Sequence, residues 1–324
     1  MPDVTLDPCP DTLEARQRLS GFLADRWPIP GAQMWEARLT HWWAANPAAR
    51  ENAIRGYWAR SGDRIVGYGG CIPAEYAFEG RKLPALWGTS MVMEPESPGI
   101  AAKLFLKHRH LQRDHLICHS TPNPRVQTAL LKMGARACTS VHRHFFAAGW
   151  ISALRGRHWW PLIASGRTVI TNPDHVTALA RPWQRADRVE KWITPESLRW
   201  YCGSSMREHH FLGVTDAAGT LTSYLIVTPK SVKGLRMWDV IDAFSTEEDG
   251  HELSALMGVL VRDPDILPGG AAFVTTAAFE GDTRWDHAPA LLRRAQRVNH
   301  FFLLPDALRH VPKHTVIAEG DWGL

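Results

Sequence analysis

The chain has 324 residues, enough for two ordinary domains, and its 45% hydrophobic and 22% charged content excludes a disordered polypeptide. A formal net charge of +4 is too small to point to a nucleic-acid or membrane-surface partner by itself. Five scattered cysteines with no C-x-x-C pair argue against a disulfide framework or a zinc site. They favour a reducing, cytoplasmic setting.

The N-terminal residues from Met1 to Asp7 carry no apolar core of a secretory signal, and no apolar run reaches membrane-spanning length. The first periodic segment is Gln33 to Trp43, where Trp35, Leu39, Trp42 and Trp43 share one helical face and Asn46-Pro47 closes the helix. Tyr57–Arg60, the turn Ser61–Arg64 and Ile65–Gly70 read as a hairpin. A meander continues it through Ala74–Phe78 and Leu83–Met93. Residues 94–102 then form a turn opening a helix to His108. A strand at His115–Thr121 follows, and Asn123-Pro124 starts a second helix stopped by Gly134. Strand pattern resumes from Cys138 to Phe146.

The second half repeats this order. Phe211–Val214 and Leu221–Val227 flank the turn 216–219, and a strand spans Leu235–Phe244. A helix is expected at Leu253–Val261, a strand at Ala272–Ala277, a helix from about Pro289 to Arg297, and strands from Phe301. The recurrence implies a domain-sized duplication rather than a short repeat. The expected division is residues 1–150, a linker at 151–171 marked by Arg155–Pro161, and residues 172–324.

A strand running into a glycine-containing turn that opens a helix is an anion site, because the free helix N–H groups and the helix dipole face outward. Glu96-Ser97-Pro98-Gly99-Ile100-Ala101-Ala102 has that form. With it, Asp63 to Arg136 resembles the core of the GNAT (GCN5-related) N-acyltransferases, whose Q/R-x-x-G-x-G/A loop binds the CoA pyrophosphate. Gly99 and Ala101 match the fourth and sixth loop positions, while Glu96 departs from the first. The helix Val126–Ala135 resembles the family's A-x-x-x-Y-x-K-x-G-F ending, with Leu130 in place of the tyrosine acid and Ala135 in place of the phenylalanine.

The resemblance implies an α/β (α+β) fold of two tandem GNAT-like domains, each a mixed, mostly antiparallel twisted sheet flanked by helices. It also implies acyl-CoA as co-substrate and a small-molecule or peptide amine as acceptor. Met91, Val92 and Met93 would lie against the thioester and pantetheine, Gly99, Ile100, Ala101 and Ala102 against the pyrophosphate, and Asn123 against the pantetheine arm. The acid-rich segment 245–250 is hostile to a pyrophosphate, so the second copy is not expected to bind CoA in the usual way. Two alternatives stand beside acyl transfer from CoA: an aminoacyl transferase using aminoacyl-tRNA, and a non-catalytic binding protein.

Three residues are candidate bases. His119 ends a strand beside the cofactor strand and has an ordinary pKa near neutrality. Glu75 lies on a neighbouring strand, and Asp242 interrupts an apolar strand of the second half. Cys71 and Cys118 read as inert core thiols. The histidine pairs 108/110 and 142/144 find no acid or cysteine at ligand spacing, so no metal is expected.

Overall fold

The computed structural model describes residues 4–28, 31–95, 99–154, 160–180, 186–247, 249–286, 288–320 and 324, without the side chains of 150, 153 and 154. In chain order the elements are β1 (Val4–Pro8), α1 (Leu13–Arg26), α2 (Ala32–Trp43), β2 (Gly56–Ser61), β3 (Arg64–Phe78) and β4 (Arg81–Met93). Next come α3 (Gly99–Leu111), β5 (Leu116–His119), α4 (Pro124–Lys132), β6 (Arg136–Ala147), α5 (Gly149–Leu154), β7 (Thr168–Ile170), β8 (Ala178–Leu179) and β9 (Glu190–Lys191). The rest is α6 (Pro195–Cys202), β10 (His210–Thr215), β11 (Thr220–Val232), β12 (Leu235–Ser245), α7 (His251–Arg262), β13 (Phe273–Phe279) and β14 (Leu292–Leu303).

One continuous sheet runs in the order β1-β2-β3-β4-β5-β14-β6-β13-β12-β11-β10-β7. Its pairings are antiparallel apart from β4 with β5, β12 with β13, and the short β8 with β11. Two hairpin-fed blocks, β2-β3-β4 and β10-β11-β12, therefore stand as equivalents, each followed by a helix and a parallel strand. This is the mixed, helix-flanked sheet architecture expected. The last strand of each half crosses over: β14 inserts between β5 and β6, and β6 pairs with β13.

The helix expected over Pro289–Arg297 is instead the start of β14. Arg293, Arg294, Ala295, Gln296 and Arg297 are good helix formers, but β5 and β6 each present an open edge that only a strand can satisfy. Tertiary pairing overrides local propensity there. Helix α1 was invisible to the apolar pattern, and its start is fixed by Thr12, whose side chain accepts from Ala15 N–H. Much of the expected seam, residues 155–159, lies outside the described residues.

Tryptophans hold much of the core. Trp42, Trp43, Trp87, Trp238 and Trp285 are all fully buried. One apolar cluster joins α1 and α2 to β3, β4, β11 and residues 316–318, so the two halves share a core. A second packs α7 against β10–β13. Among the described residues no helix is long and apolar enough to cross a membrane.

Candidate functional site

The site arises where two parallel strands separate. β4 and β5 are in register at Ala85–Leu116, Leu86–Ile117 and Trp87–Cys118, and then diverge. β4 also slips against its other neighbour: Tyr68 opposes Val92 while Gly70 opposes Thr89, so the paired Ser90 and Met91 face the lone Gly69. Such a bulge re-aims backbone groups. Ser90 sits at its centre with φ +47°, a left-handed conformation seldom taken by a non-glycine residue and a mark of functional strain.

A cavity of about 390 Å³ fills the opening. Gly88, Thr89, Ser90 and Met91 of β4 form one wall, and His119, Thr121, Pro122, Asn123 and Val126 another. Trp27, Trp35 and Arg38, from α1 and α2, close it with an aromatic and cationic face. The Trp27 and Trp35 rings lie 5.7 Å apart, and the Arg38 guanidinium lies 4.9 Å from the Trp35 ring centre. Asn123 Oδ1 caps α4 by accepting from Val126 N–H at 3.1 Å. Thr89 and Ser90 contribute neighbouring hydroxyls, 3.2 Å apart.

His119 is held over Gly88. A Cβ on Gly88 would meet the imidazole Cε1 at 2.2 Å and Nδ1 at 2.5 Å. Burial, with help from the nearby His108, pushes the His119 pKa down to about 3. The ring is therefore neutral at physiological pH, a hydrogen-bonding group rather than a store for a proton. His108, also buried, is held at about 4 by desolvation and stacks 6.2 Å from it. Replacing Gly88 by Ala should force the His119 ring into the cavity. We expect a stability loss of about 1–3 kcal/mol, typical of overpacking, and substantial blockage of the cleft. Urea unfolding and ligand titration measure the two effects, and G88A/H119A should recover both.

The other predicted residues distribute unevenly. Met91 faces the cavity. Val92 packs against the main core and Ile100 is buried in a small cluster with Ala59, Val66 and Leu104, so neither side chain lines the opening. Met93 packs beside Gly67 on the β3 side. Gly99 is the first residue of α3, exposed, with open space where a side chain would be; Ala101 and Ala102 follow on the same turn, partly and fully exposed. Glu96, Ser97 and Pro98 of the predicted loop lie outside the described residues. Leu130 is fully buried with Ile117, Phe301 and Leu303, so this helix position serves packing.

Glu75 and Asp242 meet in a second cavity of about 250 Å³, which touches β4 at Trp87, one residue before Gly88. Both carboxylates are paired. Glu75 binds Arg50 and Lys82, each at 2.9 Å. Asp242 accepts from Lys191 at 2.6 Å and from the Tyr224 hydroxyl at 3.3 Å. Trp87, Trp192, Trp200 and Tyr201 supply its aromatic lining. Sequence reading placed His119, Met91 and Asn123 at one cavity without locating the aromatic wall. Trp35 had only its helical spacing as a signal, and Trp27, just past the end of α1, had none.

In the second half, β12 and β13 part after Val240–Thr276. Here the chain's own tail follows: Ala318 N–H donates to the Ile241 carbonyl, and Val316, Ile317 and Ala318 are buried. The first turn of α7 carries a buried carboxylate, Glu252, bonded to Thr222 at 3.0 Å.

No family model matches the sequence, and no curated protein is similar to it. Its structure is similar to those of GNAT proteins. A conserved protein of Enterococcus faecalis described as a probable N-acyltransferase matches with TM-score 0.63 at 10% identity, over 94% of this chain and 74% of that one. A GCN5-related N-acetyltransferase from Anabaena variabilis matches with TM-score 0.61 at 10% identity, over 95% and 74%. The Saccharomyces cerevisiae N-myristoyltransferase with bound myristoyl-CoA matches with TM-score 0.50 at 8% identity, over 93% and 78%. The chain has the GNAT fold.

Proposed function

We propose that this protein is an N-acyltransferase of the GNAT superfamily that moves an acyl group from acyl-CoA to a primary amine. The observation that carries the reading is the divergence of β4 from β5 at a bulge, with a cavity in the opening and a helix N-terminus after β4. On this reading the pantetheine arm lies between the strands, beside Met91 and Asn123. The pyrophosphate meets the N–H groups of Gly99, Ile100, Ala101 and Ala102 at the start of α3. That one structural neighbour was solved with myristoyl-CoA is consistent with a CoA co-substrate.

Backbone N–H groups of the Ser90–Met91 bulge would polarise the thioester carbonyl. The amine attacks that carbonyl, a tetrahedral intermediate forms, and the C–S bond breaks to release CoA thiolate. The acceptor enters from the Glu75 and Asp242 cavity, whose carboxylates and aromatic rings suit a cationic amine. Either carboxylate, once exchanged from its lysine or arginine partner, could take the ammonium proton through water. The thiolate leaves hydrogen-bonded to the hydroxyl wall of Thr89, Ser90 and Thr121 and takes its proton from water, since Leu130 offers none. The acyl-CoA module is residues 1–150, joined through 151–171 to a second module, 172–324. The tail on β12 and the Glu252 carboxylate give that second module no CoA role.

Calorimetric titration with acetyl-CoA and a medium-chain acyl-CoA tests the proposal. Binding of at least one, with a matching rise in melting temperature, is the expected result. No heat and no thermal protection with either would remove it. Gly99→Glu adds a carboxylate into open space, so the fold should survive while CoA affinity falls at least tenfold.

A further inference from the structure

A cavity of about 820 Å³ opens at the far end of α3 and α4, away from the cleft. α3 runs Gly99–Leu111, and its helical rise places the groove's lining from Leu106 to the helix end roughly 10 to 20 Å from Gly99. Arg109, Arg113, Arg136 and Arg309 line it, with His110 and His310, against one acid, Asp306. The floor is apolar, from Phe302 and Leu304 of the β14 end and from Leu106 and Met133.

A helix C-terminus accounts for basic residues at the end of α3. It does not account for Arg136 at the start of β6 or Arg309 after the short turn 306–308. These come from distant parts of the chain and converge only through the insertion of β14 beside β6. Arg109, Arg113 and Arg309 are exposed and have no ion-pair partner among the described residues. Arg136 is different. Its guanidinium lies 5.2 Å from the Phe302 ring centre and donates to the Val311 carbonyl at 2.7 Å. These two contacts hold the guanidinium at the groove wall beside Phe302.

We propose that this groove binds a nucleoside polyphosphate, separately from the acyl-CoA cleft. Guanidinium forks match phosphate oxygens in pairs, and three unpartnered arginines suit two or more phosphates. The Arg136 guanidinium, held beside Phe302, gives a base a surface to stack against. The volume is within the range of small-molecule sites.

The test is calorimetric titration of ATP, inorganic pyrophosphate and adenosine at low salt. ATP should bind at one site and more tightly than pyrophosphate, and adenosine should not bind. R109A/R309A removes two exposed side chains, so it should fold normally and weaken ATP at least tenfold. G99E should leave ATP affinity unchanged. R136K keeps the charge but loses the plane, so ATP should drop to the level of pyrophosphate. Absence of ATP binding, full affinity in R109A/R309A, or loss in G99E would each overturn the proposal. So would equal affinity for ATP and pyrophosphate, or preferential binding of short single-stranded RNA.

Discussion

Acidification from pH 7 to pH 5 should unfold this protein, with uptake of several protons. Four buried histidines carry much of the effect, and His41, lowered to about 4, and His314, held well below its ordinary value, act in the same direction. Desolvation lowers His108 and His209 to about 4, and His119 and His300 to about 3. Nearby positive groups add to it, Arg207 at His209 and Lys313 at His300. In the unfolded chain the same imidazoles titrate near 6.5. Above that pH neither state binds the protons, and the histidines contribute no slope. Between about pH 6.5 and 4 the unfolded state binds them and the folded state does not, so stability falls as pH falls. Each contributes on the order of 1 kcal/mol per pH unit. Four together remove about 5 kcal/mol per unit, comparable with the whole stability of a typical domain. Urea midpoints at pH 7.5, 6.5, 5.5 and 5 measure it. A flat profile would show that the imidazoles are hydrated or already charged in the native protein. His300→Phe should reduce the slope by one histidine's share, on the order of 1 kcal/mol per pH unit.

The second large effect centres on an ion pair closed off from solvent. The side chains of Lys313 and Glu319 are 0% and 1% exposed, with Lys313 Nζ 2.7 and 2.6 Å from the two carboxylate oxygens. Burial by itself would lower the lysine pKa. The Glu319 carboxylate and its hydrogen bond, with Cys118 and Cys138 nearby, together outweigh it and hold the ammonium above its ordinary value. The Tyr76 hydroxyl donates to Glu319 at 2.8 Å, and Trp87 Nε1 donates to the Tyr76 oxygen at 3.1 Å. The network thus ties the C-terminal segment to the middle of β3 and β4, one residue short of Gly88. Removing one charge strands the other in a dry interior. K313M and E319Q should each cost about 3–5 kcal/mol, while K313M/E319L should return to within about 2 kcal/mol of the parent. Chemical denaturation of the three variants decides it. A double variant as unstable as the singles would mean that the pair itself, rather than charge compensation, holds the tail in place.

Much of the local structure was written in the sequence because its signals are local. The Asn123-Pro124 start of α4, the tryptophan face of α2 and the Gly/Asp turn of the β2–β3 hairpin rest on contacts within a few residues. The hairpin, strand, helix and strand shared by the two halves, and the glycine at the start of α3, were legible for the same reason, but the second helix expected in the second half was not found there. So were His119 and Asn123, because each sits at the end of a recognisable element.

The tertiary structure alone decided the rest. Segment 292–297 has helical composition and becomes a strand because it pairs along the edge of β6, while the following residues 301–303 pair with β5. Ser90 is an ordinary serine in sequence; its left-handed backbone is set by the slip between β3 and β4. His119 reads as a near-neutral base and is held near pKa 3, since burial depends on what packs over the ring and not on its chain neighbours. Glu75 and Asp242, 167 positions apart, share one cavity only because β3 and β12 lie in a single sheet. Short-range hydrogen bonding and periodicity are encoded residue by residue. Desolvation, strand competition and the convergence of distant charges exist only once the chain has closed on itself.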